Sequence, residues 1–354
     1  MLVILLAPHQ NCRYQASVEQ LSRAELELTL RAVGIDAQVN VRAYTGHNAL
    51  CVQASEDDER LVRLLGRMSS MYMTCRAGED GALYPMFGRL PAMLGEDLSG
   101  ILKYKGKTNE SFTRMLLNVA RLSSAYALEQ GPLDVFDPVC GKGTGLLEAL
   151  NAGDNAMGVD VDGKALAELQ AFLKRYLTYH RLKHGTEVSS LTAGGKPRRL
   201  WQLHVAADAA AFKAGDKRTL SVAECDTLLS DKLMPRRRFH IIAGDLPYGV
   251  QHATHSADSN TAFSPAGKGA QPRAKSVRID QFTAEAVPVW ARMLRPGGAM
   301  ALSFNAYTLS RDVLREQMRR CNLEVMEGGP YDAMRHWVEQ AVDRDIAVGV
   351  KPRS

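Results

Sequence analysis

The chain opens on an unbroken apolar run of strand length, Leu2-Val-Ile-Leu-Leu-Ala7. Over residues 17–33 the apolar positions take helical spacing, with Leu21, Leu26, Leu28 and Leu30 among them, and Gly34 ends the pattern. Residues 37–43 alternate apolar and polar, and residues 49–53 form a second short strand. Gly46-His47-Asn48 supplies the turn between the two. Helical spacing returns over residues 57–73, carried by Leu61, Leu64, Leu65 and Met68. This order of strands and helices over residues 1–80 predicts a small α+β domain.

Residues 81–130 read as a connection. Gly- and Pro-rich material leads to Ile101-Leu-Lys-Tyr-Lys-Gly-Lys-Thr-Asn109, then to a helix over 110–128 that ends near Gly131-Pro132. From Leu133 the pattern becomes strands alternating with helices. Strands are expected at 133–136, 156–159, 202–206, 239–243 and 299–304, with closing strands at 323–326 and 346–350. Helices are expected at 164–179, 281–293 and 310–321. Residues 183–199 read as irregular, and 251–278 as a long loop rich in Ala, Ser, Gly and Pro. Such alternation predicts an α/β, doubly wound Rossmann-like sheet over residues 131–354.

Composition narrows the class. The chain has 354 residues, 45% hydrophobic and 23% charged, as expected of a soluble two-domain protein. Six cysteines contain no C-x-x-C pair, which argues against a zinc site or a disulfide framework and points to a reducing cytoplasm. The opening apolar run lacks a basic segment before it and is too short to span a bilayer. His180, His184, His240, His252 and His255 lack the cysteine or acid partners of a metal site, so no metal is expected. The net charge of +5 is uneven: residues 1–80 carry eight Lys and Arg against ten Asp and Glu, whereas 174–238 carry fourteen against six. Such a run is either solvated surface or a track for a polyanion. Lys103, Lys105 and Lys107 alternate around Tyr104 and offer the same two readings.

The chemistry starts at Asp137-Pro-Val-Cys-Gly-Lys-Gly-Thr-Gly145. A short buried strand feeds a turn with glycines at 141, 143 and 145, and Leu146-Leu-Glu-Ala-Leu150 opens a helix. Glycines are needed where the backbone turns tightly and a ligand comes close, because a Cβ would block both. The spacing is neither that of a P-loop nor the dinucleotide G-x-G-x-x-G. Lys142 within the turn is expected to face solvent. About twenty residues on, Ala156-Met-Gly-Val-Asp160 is a second strand ending in an acid, the place for a carboxylate that binds ribose hydroxyls. These two motifs, in this order and at this separation, resemble the cofactor motif of S-adenosylmethionine (SAM)-dependent methyltransferases. The resemblance implies SAM as cofactor, held by Asp137, the three glycines and Asp160.

Asp245-Leu246-Pro247-Tyr248 follows the fourth strand and resembles the [D/N/S]-P-P-[Y/F] motif of methyltransferases that modify exocyclic amino groups of nucleobases. There the acid and the next carbonyl accept hydrogen bonds from the amino group, and the aromatic ring stacks on the extruded base. Those roles fall to Asp245, Leu246 and Tyr248, with Pro247 stiffening the turn. Leu246 in place of the first proline is closer to RNA guanine-N2 methyltransferases, relatives of the THUMP-containing tRNA enzymes, than to DNA adenine-N6 enzymes. By the same resemblance Asp208 contacts the adenine of SAM, caps a helix, or does both. Thr108-Asn109 matches a segment lying over the methionine end of SAM. The N-terminal domain, most simply ferredoxin-like, resembles the one that precedes THUMP in those enzymes, but residues 81–130 leave no room for a full THUMP domain. The expected function is methylation of an exocyclic amino group in RNA, tRNA or rRNA, favouring guanine N2. The alternatives are an adenine-N6 methyltransferase on DNA or RNA, and a nucleic-acid-binding protein that keeps SAM as a structural ligand.

Overall fold

The structure, a computed structural model, describes residues 1–9, 11–44, 46–104, 106–247 and 278–353. Tyr248, Lys105, His252, His255 and the loop 251–277 lie outside the described residues.

The N-terminal unit runs β1 (Leu2–Leu6), α1 (Cys12–Val33), β2 (Asn40–Tyr44), β3 (His47–Val52), α2 (Glu59–Leu65), β4 (Met71–Ala77) and β5 (Leu83–Gly88). Its sheet has the order β2-β3-β1-β4-β5 and is antiparallel throughout. The first four strands make the ferredoxin-like β-α-β-β-α-β unit, and β5 adds an edge. Helix α2 is shorter than the sequence pattern predicts. Gly66 caps it, and the Ser69 N–H and hydroxyl turn to the buried Glu25 carboxylate instead of helix carbonyls. Met71, Met73 and Cys75 then alternate as a strand.

The second unit runs α3 (Leu98–Ile101), α4 (Glu110–Ser123), β6 (Asp134–Asp137), α5 (Thr144–Asn151), β7 (Asn155–Asp160) and α6 (Gly163–Tyr179). It continues through β8 (His184–Ala193), β9 (Lys196–Val205), α7 (Ala209–Ala214), β10 (Arg218–Glu224), α8 (Ser230–Leu233) and β11 (Phe239–Asp245). It closes with α9 (Ile279–Met293), β12 (Leu294–Asn305), α10 (Arg311–Arg320), β13 (Glu324–Met326), β14 (His336–Glu339) and β15 (Val342–Val350). The sheet order is β13-β15-β12-β11-β6-β7-β10-β9-β8, with β14 beside β15. Strands β10, β7, β6, β11 and β12 are parallel, and in sequence they count third, second, first, fourth and fifth. This is the doubly wound Rossmann-like order, with its switch point between β6 and β11.

Two expectations change here. The strand expected at 202–206 as the third parallel strand is part of β9, which runs antiparallel to β10. The third parallel strand is β10. Residues 183–199 are not irregular. They are most of a hairpin, β8–β9, turned at Gly194-Gly195, both with positive φ (60° and 74°), as a two-residue hairpin turn demands. Most of β8 is exposed, so it shows no apolar alternation to read.

Buried side chains divide between the two faces of the sheet. Val135 and Ile241 pack with Met115, Leu146 and Leu169 on one face. Phe136 and Ile242 pack with Trp290 and Leu314 on the other. Helix α1 belongs to both units. Tyr14, Val18, Leu21 and Leu28 join the cluster around α4, while Leu26, Leu30 and Val33 pack under the N-terminal sheet. Glu25 lies between them and also accepts from Asn118 Nδ2 of α4 at 2.7 Å. No helix among the described residues is long and apolar enough to cross a membrane.

Candidate active site at the carboxyl edge of the sheet

Helices α5 and α9, which follow β6 and β11 in sequence, pack on opposite faces of the sheet; at such a switch point the crevice for ligands lies beyond the carboxyl ends of the two strands. Asp137 ends β6 and Asp245 ends β11.

The glycine turn occupies one side of this crevice. Gly141 (φ 50°) and Gly143 (φ 82°) both sit in the left-handed region. A Cβ on Gly143 would lie 2.5 Å from Leu169 Cδ2, and one on Gly145 2.7 Å from Asp137 Oδ2. The Asp160 carboxylate fastens the turn to the end of β7: it accepts from the Gly141 N–H at 2.7 Å and the Asp162 N–H at 2.9 Å. A carboxylate offers about four lone-pair sites, so capacity is left for a ligand's hydroxyls. Asp137 is buried and accepts from the Val139 N–H at 3.1 Å. Burial, then the neighbouring Asp160 and Asp245 charges, push its pKa up to about 7. Burial also raises that of Asp160. Among the described residues no cation pairs with Asp137. A buried carboxylate in that state suits a cationic ligand, and a Cβ on Gly141 would meet nothing within 4 Å.

Tyr104 closes the turn from outside, its hydroxyl 2.8 Å from Thr144 Oγ1. Lys142 is paired with Glu168 at 2.5 Å, with its ammonium 5.1 Å from the Tyr104 ring centre. It is therefore engaged rather than pointing to solvent. Lys107 likewise turns inward, to Glu110 and the Ser99 carbonyl, which leaves exposed Lys103 as the described member of that lysine trio on the surface.

Among the described residues, Thr108, Ser303 and Arg344 hold Asp245. The Thr108 hydroxyl donates to one carboxylate oxygen. The Ser303 hydroxyl donates to the other at 2.7 Å, as expected from the β11–β12 register that sets the two residues side by side. The buried Arg344 of β15 stands 3.8 Å away and lies over the Phe112 ring at 4.5 Å. Thr108 sits directly before α4, whose cap Asn109 accepts from the Phe112 N–H. Sequence reasoning misses Ser303 and Arg344, because only strand register brings them to Asp245. Leu246 is buried, its N–H on the Ser303 carbonyl at 2.8 Å. Pro247 follows it, half-buried.

Asp208 is not brought to this edge. Strand β9 runs antiparallel, so its last residue, Val205, faces Arg218 at the start of β10. Asp208 thus caps α7 beyond the opposite edge, accepting from the Ala211 N–H at 2.8 Å. The acid that follows the third parallel strand is Asp226. The preceding Cys225 N–H bonds the Asp160 carbonyl at 2.9 Å, and Asp226 accepts from the Leu228 N–H. Its signal in the sequence is the alternation of Leu220 and Val222 in a strand that leads to Asp226. The basic stretch divides as well. Lys196 and Arg199 flank the hairpin tip past the carboxyl end of β10, while Arg236, Arg237 and Arg238 precede β11 at the amino edge.

No protein-family model and no curated protein sequence matches the chain. Among solved structures it is similar to TrmN from Thermus thermophilus (14% identical, covering 99% of this chain and 81% of that one, TM-score 0.39). It is also similar to the rRNA methyltransferase aviRa from Streptomyces viridochromogenes (15%, 73% and 91%, TM-score 0.38). A third is magnesium protoporphyrin IX methyltransferase from Synechocystis with bound SAM (13%, 70% and 86%, TM-score 0.37). The order of the five parallel strands is itself that of a doubly wound Rossmann-like sheet.

Proposed function

We propose that the protein is a SAM-dependent methyltransferase acting on an exocyclic amino group of a base in RNA, with guanine N2 favoured. The observation that carries this reading is Asp245, oriented by Thr108, Ser303 and Arg344 across the crevice from a glycine turn lined by Asp137 and Asp160. Asp137, Gly141, Gly143, Gly145 and Asp160 would hold the cofactor, with Asp226 taking the place expected of Asp208. When bound, SAM supplies an already activated methyl group, so what remains for the chain is positioning.

An exocyclic amine is conjugated with its ring and is a poor nucleophile. The Asp245 carboxylate and the Leu246 carbonyl accept hydrogen bonds from its N–H groups and favour the geometry in which its lone pair is free to attack. Tyr248 stacks on the base. The nitrogen becomes strongly acidic once methylated, so its proton can leave without a strong general base. In this reading the ferredoxin-like domain runs through β5 to residue 88, the catalytic domain is the larger sheet with α3 and α4, and the connection expected over 81–130 divides between them, its segment before α4 bringing Thr108 to the site. Six unbridged cysteines fit a reducing cytoplasm.

Transfer of label from SAM to total RNA and to DNA, followed by nucleoside analysis, tests the proposal. Labelled N2-methylguanosine is expected. Label in DNA alone, or in neither polymer, would sink it, and N6-methyladenosine would move the assignment to the adenine enzymes.

A further inference from the structure

The carboxyl edge carries a second feature beside the crevice. Strand β15 begins there, because Arg344 pairs with Asn305 at the end of β12. The β14–β15 hairpin therefore rises above the same edge as Asp245. On its outer face Trp337 is 49% exposed, and Tyr307, just past β12, is 59% exposed. Asn305 ties the two segments together: its Oδ1 accepts from the Tyr307 N–H at 3.2 Å and from the Asp343 N–H at 3.1 Å.

The N-terminal unit fixes this rim in place. The Arg13 guanidinium of α1 lies 5.3 Å from the Trp337 ring centre. Gln20, two turns further along α1, donates to the carbonyls of Ala333 and Arg335 at 2.7 and 3.0 Å. The charges nearby are matched: Arg13 stands 3.7 Å from Glu339, and Arg335 pairs with Asp343 at 2.7 Å. What the rim presents is therefore exposed aromatic surface, with Arg13 over one face of Trp337, and not net charge. Two rings among polar residues are too small a patch for the apolar core of a protein interface. They match what unpaired bases need, since every base has a π face and stacking tolerates any sequence.

We infer that Trp337 and Tyr307 form a stacking platform for unpaired nucleotides flanking the target base, built jointly by the N-terminal unit and the catalytic sheet. This rests on the reading of the site as one that acts on RNA. The N-terminal unit then serves the site through α1, which holds the platform rigid rather than binding RNA on its own.

The chain's other two tryptophans, Trp201 and Trp290, are buried, so quenching of tryptophan emission by RNA reports on Trp337. Titration of the full chain with an unstructured RNA oligonucleotide is expected to quench emission, and to lose that quench in Trp337→Phe while affinity stays near wild type. In Trp337→Ala and Tyr307→Ala, affinity by fluorescence anisotropy should fall about 5- to 150-fold for each lost stack, with SAM affinity by calorimetry unchanged. RNA that is bound and methylated with no quench, and with equal affinity for both alanine variants, overturns the platform alone. Absence of any RNA binding or methylation by the wild-type chain overturns the platform together with the RNA reading.

Discussion

Asp137 is where pH should act. Its pKa is about 7 in the folded chain against an ordinary value of 3.8. Between those values the folded state keeps a proton that the unfolded chain has lost, so stability should fall as pH rises through this window and level off above about 7. A bound cation favours the carboxylate, so SAM affinity should rise over the same range. Asp137→Asn should flatten both trends, as urea unfolding and calorimetry between pH 5 and pH 8 would measure. Asp245 differs in kind, because hydroxyls and a buried arginine already orient it. Asp245→Ala should lower the single-turnover rate at least about 100-fold, the scale of losing one positioned polar group in a transition state. SAM affinity should barely change. A near wild-type rate in that variant would rule out the amino-methyltransferase chemistry.

At the scale of elements, the glycine turn and the β8–β9 hairpin make separable predictions. Gly143 caps α5 in the left-handed region, and a Cβ there would strike Leu169. Gly143→Ala should cost about 1–2 kcal/mol from backbone strain alone, visible as a lowered melting temperature, and should weaken SAM binding besides. The hairpin carries Lys196 and Arg199 to the carboxyl edge of the parallel strands, whereas Arg236 and Arg237 lie at the other. Neutralising Lys196 and Arg199 should weaken RNA binding across sequences and reduce the slope of log affinity against log salt by about 2. Neutralising Arg236 and Arg237 should leave the slope alone. Equal effects from the two pairs would return the basic stretch to a single diffuse surface.

At the scale of the whole molecule, α1 makes the two units interdependent. Its residues fill both cores, and its Glu25 carboxylate is wholly buried between Ser69 and Asn118. A chain beginning at residue 81 would expose the α4 face that α1 covers, including Met115 and Val119. The full chain should therefore melt in one calorimetric transition, and the truncated chain should lose cooperative unfolding and aggregate. A soluble, sharply melting fragment would show that α1 is dispensable to the larger sheet.

Local signals carry much of this in the sequence. Apolar periodicity identifies β1, α1, β6, β7, β11 and most of α9 and α10, because strands buried on both faces and amphipathic helices leave continuous or periodic apolar runs. The glycine turn is legible for the same reason: left-handed backbone and close approach demand glycine at fixed places. Strand direction is not legible. A run such as residues 202–206 looks alike parallel or antiparallel, since side-chain alternation is the same in both. Asp208 therefore reads as a residue of the carboxyl edge, and Asp226 comes into view only when the Leu220–Val222 alternation is taken as the third parallel strand. Hydrogen-bond register, which no local pattern encodes, decides that Ser303 and Arg344 meet Asp245. Packing over more than three hundred residues of chain decides that Arg13 meets Trp337. The sequence by itself determined which segments could be strands, helices and tight turns; pairing and burial across the whole chain determined which side chains share a site.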